Sequence, residues 1–180
     1  METLSLPTPR QVAVVLAAQA ARAAMLDLAA RLAPAGPLRV LDGGNHFNAY
    51  EVARAVRRQT AQLEWALGNI RLARAFTCYQ MLALLEETPA ASAPTLVLDL
   101  LCTFYDENVR LPEARRLLAL AVCQLARLAE GGPVVASARP PGYAVSERTV
   151  LIEDLQAALP LMVQVPAPAL PAARQMALFA

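Results

Sequence analysis

The sequence contains no lysine, and all 16 of its basic residues other than histidine are arginine. A lysine Schiff base and the lysine of an ordinary phosphate-binding loop are therefore excluded. Cysteine is also scarce: Cys78, Cys102 and Cys123 are far apart in the chain and form no CxxC pair. This spacing argues against a disulfide framework or a zinc site, and it predicts reduced thiols in a cytoplasmic protein.

Long apolar stretches and a strong excess of one charge are missing as well. The longest uncharged stretch, residues 155–173, is interrupted by prolines, which predicts that no membrane-spanning helix forms there. The formal net charge is only +1, so no global field attracts nucleic acid or an acidic membrane. At 180 residues, the chain suits one domain. We expect a leader at residues 1–10, a single domain at residues 11–165 and a Pro/Ala-rich tail at residues 166–180.

Short apolar runs alternate with helical patterns along the chain. Residues 95–100 read as a strand buried on both faces, with Asp99 near its end. Further strands are predicted at residues 11–18, 38–42, 70–75, 133–138 and 161–165. Helices are predicted at residues 20–32, 48–67, 77–87, 112–131 and 146–159, with N-caps at Asn48, Thr77 and Ser146. This alternation predicts an α/β fold with three layers, in which helices flank a mainly parallel sheet.

Three segments of the chain together resemble the RecA-like recombinase family, in particular its archaeal and eukaryotic strand-exchange branch and their paralogues. They are Leu41-Asp-Gly-Gly-Asn-His-Phe47, Ile70-Arg-Leu-Ala-Arg-Ala-Phe76 followed by Gln80, and Leu96-Val-Leu-Asp99. The last segment is placed like a Walker B strand, and the resemblance covers roughly residues 11–138. It implies a RecA-like core of the P-loop NTPase class.

The departures from the family pattern concern the nucleotide site. Residues 17–24 are Ala17-Ala-Gln-Ala-Ala-Arg-Ala-Ala24, where the family has its phosphate-binding loop. This stretch offers neither glycine amides nor a lysine to phosphate, and no Ser/Thr to magnesium. Gly44 stands where the family has its catalytic glutamate. The resemblance therefore implies a degenerate P-loop and a pseudo-ATPase without an expected cofactor, for which weak ATP–magnesium binding is left open.

The carboxyl edge of the predicted sheet supplies the candidate site. Its residues follow two strands and are Asp42, Gly43, Gly44, Asn45, His46 and Asp99. Two carboxylates there could hold magnesium or act as an acid/base pair, with His46 as a general base. The alternative is structural: the carboxylates accept loop amides, and His46 packs beside Phe47.

Arginines form the candidate nucleic-acid contacts. The resemblance places Arg110, Arg115 and Arg116 in the region of one DNA-binding loop of the family, and Arg139 before a second. Such side chains would contact phosphates. Acidic residues interrupt this run, and a second basic segment lies earlier in the chain, at residues 54–58 and 71–74.

Three hypotheses about function follow. The leading one is a non-catalytic RecA-like accessory protein that acts through contacts with a protein partner or as a homo-oligomer, in DNA recombination or repair. The second is a small α/β enzyme or nucleotide-binding protein that uses Asp42, His46 and Asp99. The third is a structural interaction domain with no nucleic-acid role.

Overall fold

The computed structural model describes residues 4–8, 10–17, 20–142, 147–159 and 162–164. The strands are β1 (Val12–Leu16), β2 (Leu38–Asp42), β3 (Ile70–Arg74), β4 (Thr95–Leu98), β5 (Val134–Ala138) and β6 (Met162–Gln164). The α-helices are α1 (Ala20–Leu32), α2 (Ala49–Val56), α3 (Leu63–Gly68), α4 (Cys78–Glu87), α5 (Leu111–Gly131) and α6 (Val150–Ala158). The predicted tail at residues 166–180 and the predicted helix cap at Ser146 lie outside the described residues.

The strands form one sheet in the order β3-β2-β4-β5-β1-β6, and every neighbouring pair is parallel. The predicted α/β class and parallel sheet are therefore confirmed. From β2 the chain continues outward to β3, whereas from β4 it continues in the other direction to β5. The carboxyl ends of β2 and β4 thus flank a point where the winding reverses, which is where open α/β sheets have a crevice.

Apolar residues of the central strands alternate between the two faces of the sheet. Leu41 and Val97 belong to a core cluster with the inner faces of α4, α5 and α6. Val40 and Leu96 belong to a second cluster with α1, α2 and α3. Because helices cover both faces, the central strands β4 and β5 are buried on both sides, as their short apolar runs predict. The edge strand β3 is mostly exposed.

Two predicted helix starts agree with the structure. The Asn48 side chain accepts hydrogen bonds from the amides of Tyr50 and Glu51 before α2, and Thr77 accepts one from the Gln80 amide before α4. These bonds satisfy amides that have no partner within the first helical turn. Both N-caps are confirmed.

The predicted helix from residue 48 to residue 67 is wrong, because the chain forms two helices there. α2 ends at Val56 and α3 begins at Leu63. Between them the Thr60 hydroxyl accepts a hydrogen bond from the Gln62 amide at 3.1 Å. Such a local side-chain bond competes with the helical backbone pattern.

The central strand is shorter than predicted. It ends at Leu98, and Asp99 has a left-handed backbone with φ of 49°. Aspartate tolerates this conformation better than most residues, and the change of direction takes the chain out of the sheet. Asp99 therefore lies at the carboxyl edge, as the sequence predicts, although residues 99 and 100 are not part of the strand.

Part of the predicted leader packs on the domain. Leu4 is buried in the cluster on the α1 side of the sheet, and its carbonyl oxygen accepts a hydrogen bond from Arg31. No helix among the described residues combines the length and apolar character needed to cross a membrane.

Candidate functional site

The loop after β2 is held by the carboxylate of Asp42, which is fully buried. Its Oδ1 accepts a hydrogen bond from the His46 amide, and its Oδ2 accepts one from the Phe47 amide, both at 2.9 Å. Arg74 on β3 donates to the same Oδ2 at 3.3 Å and also to the Phe47 carbonyl oxygen. Asp42 therefore stabilises the loop. Of the two roles predicted for it, this is the structural one, in which the carboxylate accepts loop amides.

The two glycines of this loop allow it to approach β4 closely. A Cβ atom on Gly43 would lie 2.6 Å from the Met81 Cε atom and 3.0 Å from the Asp99 carbonyl oxygen. A Cβ atom on Gly44 would overlap the His46 ring, at 2.7 Å from Nε2, and would lie 2.8 Å from the Asp99 Cβ atom. Any side chain at either position would push the loop away from Asp99.

The side chain of Asp99 is the centre of the site, and only 7% of its surface is exposed. Its Oδ2 lies 2.7 Å from Arg139 Nε and 3.0 Å from His46 Nε2. Its backbone amide donates to the hydroxyl of Ser137 on β5 at 2.9 Å. Its Oδ1 is buried without a hydrogen-bond partner among the described residues, which leaves one acceptor of the carboxylate unused.

Arg139 connects Asp99 to the segment that follows β4. Its Nη2 lies 3.6 Å from Cys102 Sγ, and its carbonyl oxygen accepts a hydrogen bond from the Tyr105 hydroxyl at 2.7 Å. Burial lowers the pKa of Arg139, but the hydrogen bond with Cys102 and the charge of Asp99 outweigh it, so that the net pKa is raised. Arg139 therefore stays a cation beside Asp99.

Burial also shifts the neighbouring phenol. It raises the pKa of Tyr105, the negative charge of Asp99 raises it further, and the charge of Arg139 partly opposes both. Tyr105 is therefore a neutral hydrogen-bond donor throughout the physiological range.

The structure thus brings most of the predicted site residues together. His46 bridges the loop and Asp99, while Gly43 and Gly44 make that contact sterically feasible. Asn45 lies on the same loop with φ of 54° and is exposed. Asp42 and Asp99 lie at the ends of adjacent strands, but their carboxylates bind different partners: Asp42 binds amides and Arg74, and Asp99 binds His46 and Arg139.

This arrangement does not fit the magnesium nucleotide that the resemblance implies for an active member. A magnesium ion on Asp99 would lie beside the guanidinium of Arg139, which already binds Oδ2, and the unused Oδ1 is buried. Both oxygens of Asp42 are already used. Among the described residues, no three histidine, cysteine or acidic side chains are grouped so that they could hold a metal ion. Arg22 does not supply a free cation either, because it is paired with Glu51 at 2.7 Å and donates to the His46 carbonyl oxygen.

The predicted nucleic-acid arginines are mostly engaged within the protein. Arg115 forms a bidentate pair with Asp154 on α6, and Arg116 forms one with Glu113. Arg139 is paired with Asp99. Arg115 and Arg116 line a groove of about 740 Å³ between α5 and α6, and none of the sheet-edge residues contributes to it. Arg110 is exposed at the start of α5.

Sequence reasoning missed four contributors: Arg74, Ser137, Cys102 and Tyr105. Arg139 was selected as a phosphate contact rather than as the partner of Asp99. The sequence position of Ser137 and Arg139 could have predicted their place in the site. Both lie at the end of a predicted strand, and the carboxyl ends of parallel strands meet at one edge of the sheet. The same holds for Arg74 at the end of β3.

Comparisons with known proteins do not assign a family. No protein-family model matches the sequence, and the search of curated proteins gives no significant match.

Proposed function

We propose that this protein is a non-catalytic accessory protein with a RecA-like core, acting through protein–protein contacts in DNA recombination or repair. The placement of the three segments that carry the resemblance supports this proposal. They form or follow β2, β3 and β4, which are adjacent in the sheet, and two of them meet at its winding reversal. The biological process is taken from the resemblance alone.

The observation that carries the non-catalytic assignment is the pairing of Asp99 with Arg139. In P-loop NTPases the aspartate at this strand end helps to hold magnesium, which neutralises charge during phosphoryl transfer. Here the protein's own guanidinium lies 2.7 Å from the carboxylate oxygen, and His46 lies 3.0 Å from the same atom. The guanidinium of Arg139 therefore takes the position beside Asp99 that a magnesium ion would need.

The position of the missing glutamate supports the same conclusion. Phosphoryl transfer to water needs a residue that orients the nucleophile. At Gly44 the space next to the backbone is taken by the His46 ring and Asp99, so a glutamate there is incompatible with this loop conformation. Together with the residues 17–24, which lack a phosphate cradle, this favours a protein that has lost nucleotide turnover.

Calorimetry with ATP and magnesium tests the proposal. We expect no measurable binding by the wild-type protein and no hydrolysis above background. Binding in the micromolar range that Asp99→Ala abolishes would contradict the proposal. Addition of the protein to a strand-exchange reaction of an active RecA-like recombinase is expected to change its rate, and an unchanged rate would remove the recombination assignment.

A second candidate is favoured by the contact between His46 and Asp99. In the tautomer that carries its proton on Nε2, the ring donates to the carboxylate, and the lone pair of Nδ1 is available as a general base. The unused Oδ1 of Asp99 is a further acceptor for a ligand. Nucleotide or small-molecule turnover that both His46→Ala and Asp99→Ala abolish, and that Arg115→Ala leaves intact, would favour this enzyme over the accessory protein.

A further inference from the structure

The arginines of the described residues fall into two groups. In one group the guanidinium binds a carboxylate or a carbonyl oxygen, as for Arg39, Arg127 and Arg139. In the other group the guanidinium makes no hydrogen bond or ion pair with any described residue; its members are Arg10, Arg54, Arg57, Arg58, Arg71 and Arg110. Four of this second group belong to α2, the turn after it, and β3.

Two of these arginines share the exposed face of α2 and its C-cap with an aromatic ring. Tyr50, Arg54 and Arg57 follow each other at helical spacing along α2 and its C-cap, opposite the buried Val52 and Val56. Tyr50 is 73% exposed.

The surface continues from α2 toward the edge of the sheet. α2 packs on α3, and α3 packs on β3, which is the last strand at its end of the sheet. Trp65 on α3 is 53% exposed. Arg71 on β3 is exposed too, but it shares the face of Ala73, which packs in the cluster of α4 and α5 on the other side of the sheet. We call the surface on the α2 and α3 side the edge surface; it consists of Tyr50, Arg54, Arg57, Arg58 and Trp65.

The composition of the edge surface is that of a protein interface. Tyrosine, tryptophan and arginine are enriched at interfaces and carry much of their binding energy. The guanidiniums of Arg54, Arg57 and Arg58 make no hydrogen bond or ion pair with the described residues. Their donors are therefore available to a partner.

The positive charge of the edge surface favours an acidic partner. Its three arginines outnumber the acidic residues nearby, since Glu51 is already paired with Arg22 and only Glu64, next to Trp65, is left among the described residues of α2 and α3. The surface is basic although the whole chain has a net charge of only +1. An acidic partner gains from this charge in both affinity and association rate.

We infer that the edge surface binds an acidic segment of a partner protein, whose carboxylates pair with Arg54, Arg57 and Arg58 and whose apolar groups cover Tyr50 and Trp65. This inference rests on the proposed function, because it gives the location and the partner chemistry of the protein–protein contact. It concerns a different surface from the Asp99 site.

Fluorescence anisotropy with a short labelled peptide, in which two glutamates alternate with one leucine, tests the inference. We expect saturable binding that weakens when salt is raised from about 0.05 M to about 0.5 M. Arg57→Ala/Arg58→Ala should weaken binding about tenfold, because two of the three cations that pair with the peptide are removed. The matched control is Arg10→Ala/Arg110→Ala, which removes the same charge from unpaired arginines elsewhere and should leave binding unchanged.

Several outcomes overturn the inference. One is absence of peptide binding, and another is equal loss in the test and control variants. Tighter binding of oligo(dT) than of the peptide, lost in Arg57→Ala/Arg58→Ala, would make this a nucleic-acid surface instead. Concentration-dependent dimers that the same variant dissociates would make it a self-interface. ATP–magnesium binding at Asp99 would contradict the proposed function while leaving the peptide result unaffected, so the two failures are distinguishable.

Discussion

The imidazole ring of His46 occupies the space into which a side chain on Gly44 would project. A Cβ atom at residue 44 would lie 2.7 Å from the His46 Nε2 atom, and the same Nε2 lies 3.0 Å from Asp99. The missing side chain at residue 44 and the histidine contact with Asp99 are therefore two parts of one arrangement. Restoring the glutamate of the resembled family at this position would remove the contact rather than restore a catalytic site.

Gly44→Ala is accordingly expected to lower the free energy of unfolding by about 1–3 kcal/mol, because overpacking forces the ring or the loop to move. Urea denaturation measures this change, and NMR of the ring protons reports the displacement unambiguously because His46 is the only histidine. Gly68→Ala is the control, since a Cβ there meets nothing within 4 Å. Equal stability of Gly44→Ala and wild type, with an unshifted histidine signal, would contradict the steric account.

Asp42→Asn tests whether Asp42 is a structural anchor. The asparagine amide group would face the His46 or Phe47 amide, so a buried donor would lose its acceptor, and the charge beside Arg74 would disappear. We expect a loss of about 2–4 kcal/mol in the free energy of unfolding. Asp27→Asn, which disturbs a partly exposed pair with Arg31, should cost well under 1 kcal/mol. Similar costs for the two variants would show that Asp42 is not the anchor of the loop.

The pairing of Arg139 with Asp99 is measurable by a double-mutant cycle. Arg139→Ala leaves a buried carboxylate without its guanidinium, so it should destabilise the wild type more than it destabilises Asp99→Ala. We expect a coupling free energy of about 1–3 kcal/mol from urea denaturation. The cycle on the exposed pair of Glu113 and Arg116 should give a much smaller coupling. A coupling near zero at Asp99 would remove the explanation that Arg139 takes the position of a magnesium ion.

Local sequence patterns predicted much of the fold because short apolar runs are bounded here by proline and glycine. Residues 38–42 and 20–32 form the strand and the helix with the predicted bounds. The break between α2 and α3 was not predictable from periodicity, since Val52, Val56, Leu63 and Leu67 keep a helical spacing across it. The bond from the Gln62 amide to Thr60, a local competitor, accompanies the break.

The site was predictable only in part, for a different reason. That Asp42 and Asp99 lie at one edge follows from parallel strands alone. Their actual partners depend on which strands are neighbours: Arg74 reaches Asp42 because β3 pairs with β2, and Ser137 reaches Asp99 because β5 pairs with β4. Strand order is a long-range property that composition and periodicity do not contain.

Thiol labelling with Ellman's reagent should separate the three cysteines by burial. Cys123 is exposed and Cys102 is partly exposed, whereas Cys78 is buried. Burial raises the pKa of Cys78, so its reactive thiolate is scarcer at any given pH than that of an exposed thiol. We expect Cys102 and Cys123 to react in the native protein and Cys78 only after unfolding. The additional labelling that appears on unfolding should be absent in Cys78→Ala but present in Cys123→Ser. Rapid labelling of all three thiols in the native protein would contradict the buried placement of Cys78.

Tyr105 should make the protein unstable at alkaline pH. Because burial raises its pKa in the folded state, the unfolded chain loses the phenol proton first, from about pH 10 upward, and the free energy of unfolding falls as the pH rises further.

Tyr105→Phe removes this titration. At neutral pH the variant should be less stable by about 1 kcal/mol, since the hydrogen bond to the Arg139 carbonyl oxygen is lost. Between pH 8 and about pH 11 its stability should fall less steeply than that of the wild type. Tyr50→Phe, a change at an exposed ring, should retain the wild-type pH dependence. Parallel pH profiles for Tyr105→Phe and the wild type in urea denaturation would contradict the burial of the phenol.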